Sequence, residues 1–214
     1  MDGKIISSVL SLALEDYIDA RLLIRQDRLL NGGHLSALAV EKLLKGLILA
    51  YDMQPKHVHL DKVDKLINQV SKTIPNIQNY INVDFLHYLG RIFSMRYFPE
   101  QNDDHISISR NKLLWELDRL FDQVHGYMRF EPSAEAQHMI IYTTEKNLNN
   151  PLIYERNQWL SGKHSIAELE ALPDFIFATA RLPIGMSVTV HKEFPKTFIN
   201  CKLGEELKIE VGKK

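Results

Sequence analysis

Cys201 is the only cysteine in the chain, which excludes an intrachain disulfide framework and any cysteine-based zinc cluster. Charge of one sign is equally scarce. With 26 Lys+Arg against 27 Asp+Glu the formal charge is -1, so no bulk basic field marks a nucleic-acid binder, and any RNA or DNA contact has to be local. The balance holds along the chain: residues 1–130 carry 16 basic and 16 acidic side chains, residues 131–214 carry 10 and 11, and neither part is a charged tail. No apolar run suits a bilayer, because the richest stretch, Leu35 to Tyr51, is interrupted by Glu41, Lys42 and Lys45. The start, Met1-Asp2-Gly3-Lys4 followed by mixed apolar and acidic residues, lacks the basic, apolar and small-residue segments of a secretory signal. These absences predict a cytoplasmic protein with no membrane partner. Phosphate-cradling glycine loops, nucleophile elbows, metalloprotease motifs and internal repeats are also missing.

What is present is a hydrophobic content of 45%, enough for a core over 214 residues, arranged first with helical and then with strand-like period. Ile6, Val9, Ala13, Tyr17, Ala20 and Ile24 predict a helix from Ile5 to about Arg28, and Asn31-Gly32-Gly33 reads as the turn that stops it. A second helix is expected from His34 to about Met53. In it Glu41 stands four residues before Lys45, the spacing of an exposed ion pair on one helix face. Further helices are expected over Leu60 to Lys72, Val83 to Met95 and Ser107 to Met128, with Leu43 and Leu117 among the core residues. The first two helices are expected to pack closely through Ala13, Ala20, Ala39 and Gly46.

After Glu131-Pro132-Ser133 the period shortens. Residues Met186 to His191, Phe198 to Cys201 and Leu207 to Val211 read as strands, and Ser165-Ile166-Ala167-Glu168 has the form of a capping box opening a short helix. The reading is therefore mainly α: an antiparallel four- to five-helix bundle over residues 1–130, with a small C-terminal α+β unit of unassigned role over 131–214.

Several stretches carry a family likeness. Ala13-Leu14-Glu15-Asp16-Tyr17-Ile18-Asp19-Ala20-Arg21-Leu22-Leu23 resembles the first helix, and Ala37 to Leu47, with its Ala39, Glu41, Lys42, Leu44 and Lys45, the second-helix signature, of the HEPN (higher eukaryotes and prokaryotes nucleotide-binding) family. His57 to Leu66 is similar to the histidine-rich start of that family's third helix, with the spacing off by one. Met95-Arg96-Tyr97-Phe98-Pro99 resembles its Arg-Tyr-Pro, with Phe98 interposed. The resemblance spans residues 13–99 and does not reach the tail. It implies a homodimer that binds a nucleotide, RNA or a partner protein such as a small nucleotidyltransferase, in a toxin–antitoxin or defence setting. Glu41, Lys45, Arg96 and Tyr97 are the candidate nucleotide or partner contacts. An arginine beside an aromatic can stack on a base.

The resemblance also implies a second reading. Catalytic members are metal-independent endoribonucleases with an arginine followed four to six residues later by a histidine, and Arg119 and His125 satisfy that spacing, with Tyr127 close behind. Histidine titrates near neutrality and moves a proton, while a guanidinium stabilises the phosphorane. Helical geometry weighs against convergence: at ~100° per residue the two side chains stand roughly 120° apart and about 9 Å along the axis, so a kink near Gly126 or a second protomer would be needed. The residue after the arginine, polar in the family, is Leu120 here. A third reading is a non-catalytic scaffold that presents the C-terminal unit. His57, His59 and Asp61 are the weak candidates for a metal set, no second cluster completes a coordination shell, and no cofactor is expected.

Overall fold

The computed structural model describes residues 3–51, 62–95, 106–130, 141–163, 165–170, 172, 174–181 and 187–194. The described chain is mainly helical: α1 (Gly3–Arg25), α2 (Leu29–Ala50), α3 (Val63–Thr73), α4 (Val83–Ser94), β1 (Ile106–Ser109), α5 (Arg110–Phe130), α6 (Ile141–Asn147), α7 (Pro151–Tyr154), α8 (Ile166–Glu170), β2 (Asp174–Arg181) and β3 (Ser187–Phe194).

α1 and α2 form an antiparallel hairpin. Close approaches pair Leu10 with Gly46 and Ile24 with Gly32, and Lys42 reaches Asp16 at 2.6 Å between them, so one sequence runs up as the other runs down. Ala13, Ala20 and Ala39 are wholly buried in the same hairpin. The turn is not where two adjacent glycines suggested. Helix α1 ends on Asp27, which adopts φ 59°, with Arg28 N–H donating to Leu23 O (2.9 Å) and Asp27 N–H to Ile24 O (3.0 Å), a Schellman closure with aspartate in the position glycine usually takes. Gly32 and Gly33 lie inside α2, where the lack of a side chain serves packing. A Cβ on Gly32 would stand 2.5 Å from Ile24 Cγ1, and one on Gly33 2.9 Å from Ile92 Cγ2.

Asn82 caps α4, accepting from Asp84 N–H (3.1 Å) and Phe85 N–H (3.3 Å), and its amide donates to Glu116 of α5 at 2.8 Å. That contact joins α4 to α5. Helix α5 buries Leu113, Leu117, Leu120, Phe121 and Val124 against the hairpin, and Tyr17 of α1 stacks on Phe121 with centroids 4.2 Å apart. Leu43 and Leu117 are wholly buried, as their helical positions predicted.

The helical expectation over Ser107 to Met128 needs correcting at its start. Residues 106–109 form a strand, and the order β1-β2-β3 puts β2 in the middle of an antiparallel sheet, with Ser109 opposite Ile176 and Phe177 opposite His191. Asp174, at the start of β2, is buried and accepts from Ser109 Oγ and from Asn111 N–H (3.0 Å), so the sheet caps the first turn of α5. The composition change at 131–133 lies outside the described residues. Beyond it, α6 packs on α1 and α5, and the sheet joins residues from both sides of that point. The Ser165 capping box forms as expected: Glu168 N–H donates to Ser165 Oγ (3.2 Å) and Ser165 N–H to Glu168 Oε2 (3.0 Å). β3 covers most of the expected strand from Met186 to His191, whereas the strands expected at Phe198 to Cys201 and Leu207 to Val211 lie outside the described residues.

Candidate functional site

Arg119 and His125 occupy one unbroken helix and are engaged separately. Arg119 donates from Nε and Nη2 to Glu116 Oε2 (3.1 and 2.9 Å) and from Nη1 to Gln123 Oε1 (3.1 Å), and its guanidinium lies 5.6 Å from the Trp115 ring centroid. All its partners sit on α5. His125 turns inward and is 3% exposed. Its Nδ1–H donates to Phe121 O at 2.7 Å, and its ring lies between Phe121 and Tyr142, with centroids 5.7 and 4.5 Å away. Burial pushes its pKa down to about 4, because a cationic imidazolium would lose its water there; the Phe121 carbonyl opposes this weakly. At neutral pH His125 is therefore an uncharged core residue. Tyr127 is separate again, donating to Pro75 O at 3.3 Å with its ring 5.2 Å from Tyr80. Gly126 does not interrupt the helix: α5 is continuous from Arg110 to Phe130.

Glu41 and Lys45 form the ion pair that their spacing predicted, at 2.7 Å, but it is not the exposed pair expected: Glu41 is buried, on a helix that packs against neighbours on several sides. Arg96 and Tyr97 lie outside the described residues, as do His57, His59 and Asp61. Among the described residues no group of three or more His, Cys, Asp or Glu side chains is placed to hold a metal ion.

Sequence reasoning missed a polar cluster in the interior. Asp118, wholly buried on α5, accepts from Tyr17 Oη at 2.6 Å and pairs with Arg21 Nε at 2.9 Å, both from α1. Arg21 is itself 1% exposed and donates further to the carbonyls of Leu152 and Glu155, fastening α7 to the hairpin. Burial raises the Asp118 pKa to about 6 despite the opposing guanidinium and tyrosine, because desolvation of the carboxylate outweighs them. Burial likewise raises Tyr17 and Tyr142 well above the usual phenol range. The available signal was Arg21 lying four residues after Tyr17 and three before Ile24, a charge on the buried stripe of α1.

A second arrangement is open to solvent. Between α3 and α4 runs a cleft of about 410 Å³, lined on one side by Lys62, Asp64 and Lys65 and on the other by His87, Arg91 and Ser94. His87 Nε2 stands 3.3 Å from Asp64 Oδ1. Neither Lys62 nor Lys65 makes an ion pair among the described residues. Among the described residues no helix is long and apolar enough to cross a membrane. Comparison of the chain with protein-family models, with curated proteins and with solved structures finds no match.

Proposed function

We propose that this chain is a HEPN-type binding module, cytoplasmic and homodimeric, that engages a nucleotide, RNA or a partner protein such as a small nucleotidyltransferase, in a toxin–antitoxin or defence setting. The observation that favours binding over RNA cleavage is the placement of His125. A general acid or base has to reach the ribose hydroxyl or the leaving oxygen, whereas this imidazole is buried, neutral and hydrogen-bonded to a main-chain carbonyl. Arg119 is committed to Glu116 and Gln123 on its own helix and lies on the other side of α5's apolar stripe. The helical bundle and the Glu41–Lys45 pair in the stretch that resembles the family's second helix support the module reading.

Incubation of the full chain with single-stranded and structured RNA, with and without chelator, tests it. We expect no turnover from wild type, from Arg119→Ala or from His125→Ala. Chelator-resistant cleavage by wild type that disappears in both variants would establish the nuclease instead. Light scattering at micromolar concentration should return about twice 24.8 kDa, and a monomeric mass would remove the dimer from the proposal.

A further inference from the structure

We propose that residues 141–163, from α6 through α7 to the turn that follows, form a strap that lifts from the bundle as a unit and, in lifting, uncovers His125. The proposal goes beyond the binding-module reading and does not depend on it.

The strap has little apolar anchorage. Among residues 142–163 only Tyr142, Ile153 and Asn157 are buried, with Tyr154 and Leu160 half-buried against the core. On α5, by contrast, every residue from Lys112 to Asp118 is buried. The strap's main-chain bonds are also its own. Leu148 N–H donates to Thr144 O (3.0 Å), Glu155 N–H to Pro151 O (2.8 Å) and Lys163 N–H to Gln158 O (3.0 Å), and among the described residues no main-chain bond joins the strap to the bundle. Segments with few buried apolar side chains open locally before the whole molecule unfolds.

Side-chain bonds that water can replace fasten the strap. Arg21 and Arg25 of α1 hold its middle, through the carbonyls of Leu152 and Glu155 and through the Glu155 carboxylate (2.6 Å). Asp122 of α5 holds both of its arms, accepting from Lys146 Nζ and from Trp159 Nε1 (3.0 Å). Trp115 Nε1 donates to Lys163 O at 2.7 Å. Lifting strands no buried charge, because Arg21 and Asp118, 2.9 Å apart, both belong to the bundle and stay paired.

Tyr142 is the part of the strap that covers His125. Its ring centroid lies 4.5 Å from that of His125, 6.1 Å from Phe121 and 5.9 Å from Tyr17. When the strap lifts, Tyr142 leaves with α6 and the imidazole faces water beside the other two rings. Arg119 stays bonded to Glu116 and Gln123 on the other side of α5, so lifting presents an imidazole and not an arginine–histidine pair.

Hydrogen exchange and histidine acylation on the full chain at neutral pH test this. In wild type the amides of Leu148, Glu155 and Lys163, corrected for intrinsic rates, should exchange at least about tenfold faster than those in the middle of α2 and α5. Asp122→Ala removes an anchor from both arms and should quicken the strap amides by about fivefold or more while leaving α2 unchanged. Diethyl pyrocarbonate acylates accessible, uncharged imidazoles. His125 should react slowly in wild type beside His87, whose side chain is 47% exposed, and its rate should rise in Asp122→Ala by the same factor as the strap amides. Asp64→Ala, the same charge change on α3, should alter neither His125 nor the strap. Exchange of the strap together with α2 and α5 at one rate in wild type overturns the proposal, and that profile decides even if Asp122→Ala does not fold. Strap amides that quicken in Asp122→Ala while His125 stays unreactive overturn it too, because something other than the strap then covers the imidazole. Equal quickening in Asp64→Ala has the same consequence.

Discussion

The interior around Arg21 and the cleft around Lys65 treat positive charge in opposite ways. Arg21 is out of water, and each of its three nitrogens has a partner close by, the Asp118 carboxylate at Nε and the carbonyls of Leu152 and Glu155 at Nη1 and Nη2. Lys65 is in water with no ion-pair partner among the described residues. A buried charge survives only if its partners are built in, because desolvation costs several kcal/mol per ion. An exposed one survives without them. The comparison separates charges that hold the fold from charges left available to something outside it, and Arg119 and His125 fall on the structural side of that line.

Breaking the interior cluster should have the largest effect. Arg21→Ala leaves the Asp118 carboxylate buried without its counter-charge and removes the donors that fasten α7, and it should cost about 3–5 kcal/mol in denaturant unfolding. Replacing both partners, Arg21→Met with Asp118→Leu, should cost less than Arg21→Ala alone, since no unpaired ion then remains. If Arg21→Ala costs under ~1 kcal/mol, water reaches the cluster and the contrast with the cleft is lost.

A smaller effect tests the two buried titrating groups against each other. His125 is depressed to about 4, so its contribution is fully present above its ordinary 6.5 and is lost as pH falls toward 4. Asp118 is raised to about 6, so its contribution is fully present below its ordinary 3.8 and is lost as pH rises through 6. Between about pH 6.5 and 4 the two oppose. Wild-type stability should therefore change little from these groups between pH 7 and 5. His125→Phe, left with Asp118, should gain on acidification, and Asp118→Asn, left with His125, should lose, each by about 1–2 kcal/mol over that interval. Parallel pH slopes in the two variants would show that the groups do not titrate as their burial requires.

How much of this was legible depended on whether the signal was local. The period of apolar residues on α1, α2 and α5 was, and so was the Glu41–Lys45 pair, because both members lie on one helix. The separation of Arg119 from His125 was also legible, from helical angle alone. Gly32-Gly33 misled, because glycine permits both turns and close helix contact, and only the partner surfaces, Ile24 and Ile92, decide between them. β2 escaped notice because Asp174-Phe175-Ile176-Phe177-Ala178-Thr179-Ala180-Arg181 lacks the strict alternation of a half-buried strand, and it has a neighbour on each side. The Tyr17–Asp118 bond joins residues 101 apart, a pairing that no spacing rule reaches.

The smallest expected effect bears most directly on the cleft. Lys65 lies in the first turn of α3, where the helix dipole favours an acidic side chain, and it lines the same cleft as Lys62 and Arg91. A lysine kept for the fold would be missed on substitution. One that merely repels its neighbours would not. Lys65→Glu removes that repulsion and improves the helix start, so the free protein should be unchanged or more stable, by up to about 1 kcal/mol in denaturant unfolding at low salt. Raising the salt should shrink the gain, because exposed charges are screened within ~10 Å at 0.1 M. A loss above ~1 kcal/mol would make Lys65 a structural cation like Arg21, and the distinction drawn between the two regions would fail at its open end.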